Sequence, residues 1–137
     1  MSAVHLFTYG SLMFEPIWAR VVGGHYRLAP AQIYGYKRWC IKGDSYPVLV
    51  PSFTTSPLSG TLYYNVAPAD LTRLDRFEGD YYYRQSVLAH CDNGPVLAQV
   101  YVLKPKYRHL VEHKPWQPKR FNRVQMSAFI RRYCAKK

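Results

Sequence analysis

Apolar positions in this chain fall mostly in short β-rich runs, and they take up helical spacing in only a few places. His5 to Tyr9 predicts a buried strand ended by Gly10-Ser11. Pro16, Ile17, Trp18 and Val21 predict a helix, opened by a proline and closed by Gly23-Gly24. Gln32 to Ile41, Tyr46 to Val50 and Gly60 to Val66 are β-rich segments bounded by Pro and Gly, each expected as one strand. From Pro68 to Phe77 the period changes: Leu71, Leu74 and Phe77 recur every three residues, predicting a short amphipathic helix. Gln85 to His90 and Val96 to Leu103 flank Asp92-Asn93-Gly94, which predicts a hairpin. Lys104 to Pro118, interrupted by prolines, is expected to be a connection. Lys119 to Tyr133 predicts a last helix, with Phe121, Val124, Ala128 and Phe129 on one side.

Strands dominate, and the helices do not alternate regularly with them. This excludes a doubly wound parallel sheet and predicts a mixed α+β fold with a small closed sheet. A length of 137 residues predicts a single domain over 1–137. Nineteen Lys and Arg against eight Asp and Glu leave a net charge of +11, which favours acidic ligands by long-range attraction. The cations are scattered, with a bias to the last third, and are expected to form a solvated face; nucleic acid is not an expected partner. Cys40, Cys91 and Cys134 lack paired spacing, pointing to reduced thiols in a cytoplasmic setting. The start of the chain lacks the pattern of a signal peptide, and no apolar run reaches the ~20 residues of a membrane span.

Glu78 is the first candidate for chemistry. It follows Phe77 and precedes Gly79, so it sits at a helix C-terminus, where the helix dipole disfavours a carboxylate. The neighbouring Tyr81-Tyr82-Tyr83 would raise its pKa further by desolvation, which suits a group that takes and returns a proton near neutrality. The alternative is an exposed carboxylate paired with Arg84 or Arg76. Tyr9-Gly10-Ser11-Leu12 forms a glycine turn after a strand, whose N–H groups can converge on an anion; a plain turn is the competing interpretation. His109 and His113 are four apart, but prolines bracket them and no third ligand is near, so no metal is expected. Cys40 and Cys134 lack a local partner base that would make them nucleophiles.

FTYGSLM at 7–13 and LDRFEGDYYYR at 74–84, taken together and in this order, resemble the gamma-glutamylcyclotransferase-like family, including its plant avirulence-induced-gene branch. AQIYGYKR at 31–38, Tyr46-Pro47 and the Gly-opened strand at 60–66 match between them. Glu78, Gly79, Tyr82 and Arg84 meet the pattern after the acidic residue, and Trp116, Phe121 and Phe129 are similar to the closing pattern of the plant branch. Gln125 stands where that branch often has His.

The resemblance implies a small β-barrel with flanking helices and one cavity. It implies that Tyr9, Gly10, Ser11 and Leu12, extending to Met13, bind the glutamyl end of a small-molecule γ-glutamyl substrate. It further implies that Glu78 is the proton acceptor, that Tyr101 lines the cavity, and that Tyr82 and Arg84 shape the pocket or hold the segment. The implied reaction is cyclisation to 5-oxoproline with release of an amine or amino acid, without cofactor or metal. A non-catalytic module of the same fold, binding a carboxylated ligand or acidic partner, is the alternative.

Overall fold

The computed structural model describes residues 3–134. Five strands close into a barrel: β1 (Val4–Thr8), β2 (Leu28–Ile33), β5 (Leu58–Val66), β6 (Tyr82–Cys91) and β7 (Gly94–Leu103). Their order is β1-β5-β2-β6-β7, and the parallel pairing of β1 with β7 completes the circle. A second sheet, ordered β4-β3-β8, consists of β3 (Tyr36–Ile41), β4 (Pro47–Pro51) and β8 (Val111–Pro115). The helices are α1 (Glu15–Val21), α2 (Pro68–Glu78), α3 (Pro118–Arg120) and α4 (Met126–Tyr133), with a π-helical turn at Phe121–Gln125 between the last two. None is long and apolar enough to cross a membrane.

Strand alternation divides the core in two. Phe7, Leu62, Val100 and Val102 pack with Ala31, Ile33, Leu49, Ala89 and Ala98 in one cluster. Their strand neighbours Leu6, Tyr63, Tyr101 and Leu103 face the opposite way and pack with Ile17, Trp18, Leu71, Leu74, Phe121 and Phe129 of the helical segments. A period of two in β1, β5 and β7 thus gives each of these three strands one apolar face for each cluster. The β6–β7 hairpin runs in unbroken register from Tyr82↔Leu103 to Cys91↔Gly94, as the Asn93-Gly94 signal predicts.

Four expectations need correction. Gln32 to Ile41 is not one strand: Gly35, at φ 88°, turns the chain between β2 and β3 and sends them into different sheets. Lys104 to Pro118 is not a bare connection either. It holds a 3-10 helix (Pro105–Leu110) and β8, which pairs with β3 because that strand has an open edge to satisfy. His109 and His113 therefore lie on different elements rather than one turn apart on a helix.

The face of the last helix also differs. Val124 is 59% exposed and Ala128 is exposed, while Phe121 and Phe129 are buried. Residues eight apart on an α-helix point about 80° away from each other; one extra residue in the π turn reduces this to about 20° and aligns the two rings. Their centroids lie 5.4 Å apart.

Gly23-Gly24 does not supply the positive-φ stop of α1. The helix ends at Val22 with extended backbone, and both glycine N–H groups instead donate to the buried Asp70 of α2, at 2.8 and 3.0 Å. Tyr26 Oη (2.6 Å) and Arg73 (2.7 Å) donate to the same carboxylate. Burial opposes ionisation of Asp70, but these hydrogen bonds outweigh it and lower its pKa. Asp70→Asn retains the shape and removes the charge and an acceptor from four donors. It is expected to cost about 1–3 kcal/mol in urea unfolding; an unchanged midpoint would show that the staple between α1 and α2 is dispensable.

Candidate active site

The pocket begins where β1 ends. A 3-10 turn, Ser11–Met13, follows Tyr9-Gly10 and is closed by Met13 N–H to the Gly10 carbonyl (3.0 Å). Phe14 N–H bonds the Ser11 carbonyl at 3.1 Å. Arg38 donates to the Tyr9 carbonyl at 2.8 Å, and Tyr63 Oη to the Leu12 carbonyl at 3.2 Å. All four carbonyls of the segment are thus engaged by the protein, whereas the N–H groups of Gly10, Ser11 and Leu12 make no hydrogen bond to the described residues. Gly10 is required by space: a Cβ there would lie 2.7 Å from Pro47 Cγ.

Glu78 is the last residue of α2, and Gly79 ends the helix at φ 79° with its N–H on the Asp75 carbonyl. Helix and glycine together deliver the carboxyl to the same pocket as the Tyr9–Leu12 segment, in a cavity of about 90 Å³. Tyr82 and Tyr101 line it as well. Burial raises the Glu78 pKa to about 8, with the negative charge of Asp75, one turn earlier, adding to the effect.

The pairing of Glu78 with Arg84 or Arg76 does not occur. Arg84 is held by Asp75, through Nε at 2.9 Å and a second contact at 3.1 Å, and by Gln99 at 2.5 Å. Tyr101 Oη donates to the same Asp75 at 2.7 Å. Asp75 therefore holds Arg84, and Glu78 has no ion-pair partner among the described residues. Tyr82 Oη donates to the Pro47 carbonyl (2.8 Å) and Tyr9 Oη to the Tyr101 carbonyl (2.7 Å). Burial is the first cause of raised pKa in all three tyrosines, so they are neutral phenols at physiological pH.

Of the residues singled out in the sequence, Glu78, Tyr9, Gly10, Ser11, Leu12, Tyr82 and Tyr101 meet at the pocket. Met13 does not line it; its side chain packs against the helical cluster. Arg84 is a support behind Tyr101 rather than a wall of the pocket. Phe7, Thr8, Tyr46, Pro47, Phe77, Phe129 and Tyr133 complete the lining without having been assigned a role from sequence. All of these except Tyr133 stand in motifs that carry the family resemblance. Tyr46, Phe129 and Tyr133 form an aromatic wall, with centroids 4.8 to 6.4 Å apart.

A closed five-stranded barrel with flanking helices is the fold that solved gamma-glutamyl cyclotransferase structures share with this chain. The chain is a member of the gamma-glutamyl cyclotransferase, AIG2-like family, whose family model matches residues 6–118. It is similar to Protein AIG2 C of Arabidopsis thaliana, 31% identical over 100 residues, which is 72% of this chain and 60% of that protein. The chain thus spans somewhat less than two thirds of that relative's length. A solution structure of another Arabidopsis thaliana protein has a TM-score of 0.68 and 26% identity, covering 97% of this chain and 80% of the other. The fold is also that of a yeast gamma-glutamyl cyclotransferase described as specific to glutathione: TM-score 0.63, 18% identity, 83% of this chain and 74% of the other.

Proposed function

We propose that this protein cyclises γ-glutamyl compounds to 5-oxoproline and releases an amine or amino acid, with Glu78 as general base and then general acid. The observation that carries this is the half-buried Glu78 carboxyl, which has no ion-pair partner among the described residues and lines the same cavity as Gly10, Ser11 and Leu12, whose N–H groups make no hydrogen bond to the described residues. The substrate's α-carboxylate accepts hydrogen bonds from Gly10, Ser11 and Leu12, which brings its α-ammonium to Glu78. Glu78 takes a proton, and the freed amine attacks the γ-carbonyl carbon. The C–N bond to the leaving group breaks as the five-membered lactam forms, and Glu78 returns a proton to the departing nitrogen. Much of the acceleration comes from holding the flexible glutamyl chain in a folded attack geometry. The neutral phenols of Tyr9, Tyr82 and Tyr101 shape the cavity without adding charge to it.

The test is to incubate the protein with glutathione, γ-glutamyl amino acids and a γ-glutamyl-lysine isopeptide and to measure 5-oxoproline. Release from at least one is expected; none from any would make the protein a carboxylate-binding module of the same fold. The pH dependence is a second expected result. The base form of a group with pKa about 8 grows about tenfold per pH unit below that value. kcat/KM should therefore climb from pH 5 to 7 and level off above about 8. A plateau already at pH 5, as for an ordinary carboxylate, would contradict the assignment.

A further inference from the structure

Beside the pocket lies an open groove of about 460 Å³, lined by Arg20, Arg73, Arg76 and Arg132 together with Phe77 and Tyr133. The last two line the catalytic pocket as well, so the groove and the pocket share a wall. Tyr133 is 37% exposed, which puts it at the rim. In the sequence these arginines are spread from position 20 to position 132 and look like part of a general surplus of charge. The fold collects them from α1, α2 and α4.

Their pairing is uneven. Arg73 is engaged by Asp70 at 2.7 Å, and Arg132 lies 3.6 Å from Asp44. Among the described residues, Arg20 donates to the Pro16 carbonyl of its own helix and has no ion-pair partner, and Arg76 has none either. Among the described residues no acidic side chain lines the groove. Two guanidinium groups without an ion-pair partner among the described residues therefore face an open groove that shares Phe77 and Tyr133 with the Glu78 pocket. Guanidinium in that setting selects a carboxylate by charge-assisted, bidentate hydrogen bonds.

We propose that this groove binds the leaving half of the substrate through a carboxylate, so that the favoured substrates are γ-glutamyl amino acids or peptides with a free carboxylate beyond the scissile bond. The assignment of the ligand rests on the cyclisation described above. Compounds with a neutral or cationic leaving half, such as γ-glutamyl amines, reach the same pocket without this contact.

The experiment uses a γ-glutamyl dipeptide and its C-terminal amide, which differ only in that charge. Their affinities are measured by calorimetry on Glu78→Gln protein, which retains the pocket without the proton acceptor; 5-oxoproline release is measured separately on wild type. The acid is expected to bind about fivefold more tightly than the amide at low salt, the scale of one or two exposed ion pairs. The preference should shrink in 0.5 M salt, as screening requires, and disappear in Glu78→Gln protein that also carries Arg20→Gln and Arg76→Gln. Both arginines are exposed, so the replacements leave the core untouched. Equal affinity for acid and amide, absence of binding, or a preference that survives the arginine replacements would each overturn the groove assignment. An acid preference with no 5-oxoproline from wild type would overturn the reaction instead and leave the groove in place.

Discussion

Glu78→Gln is expected to lower 5-oxoproline release by at least about a hundredfold, the lower end of what a general acid–base group contributes. Gln preserves length and hydrogen-bonding atoms but cannot accept a proton near neutrality. Affinity for an unreactive γ-glutamyl analogue should change little, because the N–H groups of Gly10, Ser11 and Leu12 belong to a different segment from Glu78. The variant should also be at least as stable as wild type at pH 9. Glu78 has a pKa raised to about 8 in the fold, whereas an unfolded carboxyl titrates near 4.3. Between those values the folded state holds the extra proton, so the native carboxyl loses stability as pH rises and Gln does not. Near-normal turnover in Glu78→Gln would remove this residue from the chemistry, whatever the binding data show.

Gly60→Ala is expected to have the largest effect on the fold. Gly60 lies in β5, paired with Ala31 of β2. A Cβ at this position would stand 2.2 Å from the Thr8 carbonyl oxygen and 2.6 Å from Phe7 Cζ. A ring can tilt, but a backbone carbonyl in the neighbouring strand can move only if β1 moves with it. Overpacking of this kind costs about 1–3 kcal/mol where side chains can yield, and more where backbone must. A fall in Tm of about 10 °C or more should follow. Since Thr8 leads directly into the Tyr9–Leu12 segment, activity should fall together with stability. Gly23→Ala is the comparison: its Cβ would have 3.7 Å to the nearest atom, so the clash is absent. Equal melting temperatures for the two variants would show that β1 and β5 do not approach as closely as described.

The order of elements around the site was largely readable in the chain because it depends on local rules. Pro68 and the spacing of Leu71, Leu74 and Phe77 specify α2, and Gly79 specifies its end; both together place Glu78 at a helix terminus. Asn93-Gly94 specifies the β6–β7 hairpin. Long-range pairing was not readable. β8 exists because β3 offers an edge to it, and its own residues, ending at Pro115, carry little strand preference. The π turn at Phe121–Gln125 is likewise absent from the periodicity, since one extra residue in a turn is favoured by the burial of Phe121 and Phe129 rather than by local preference.

The sequence by itself determined the residue types available for chemistry: one Glu before a glycine, a glycine turn after a strand, and an excess of arginine. Tertiary structure alone decided what each of them does. It gave Arg84 to Asp75 and left Glu78 without an ion-pair partner among the described residues, although Arg84 is nearer to Glu78 than to Asp75 in sequence. It lined the Glu78 pocket with aromatic rings from β4's approach and from α4, more than 30 residues away on one side and about 50 on the other. It also drew Arg20, Arg73, Arg76 and Arg132 into one groove. The physical reason is common to all three: hydrogen bonding, desolvation and charge depend on distance in space, and the closure of the barrel sets those distances.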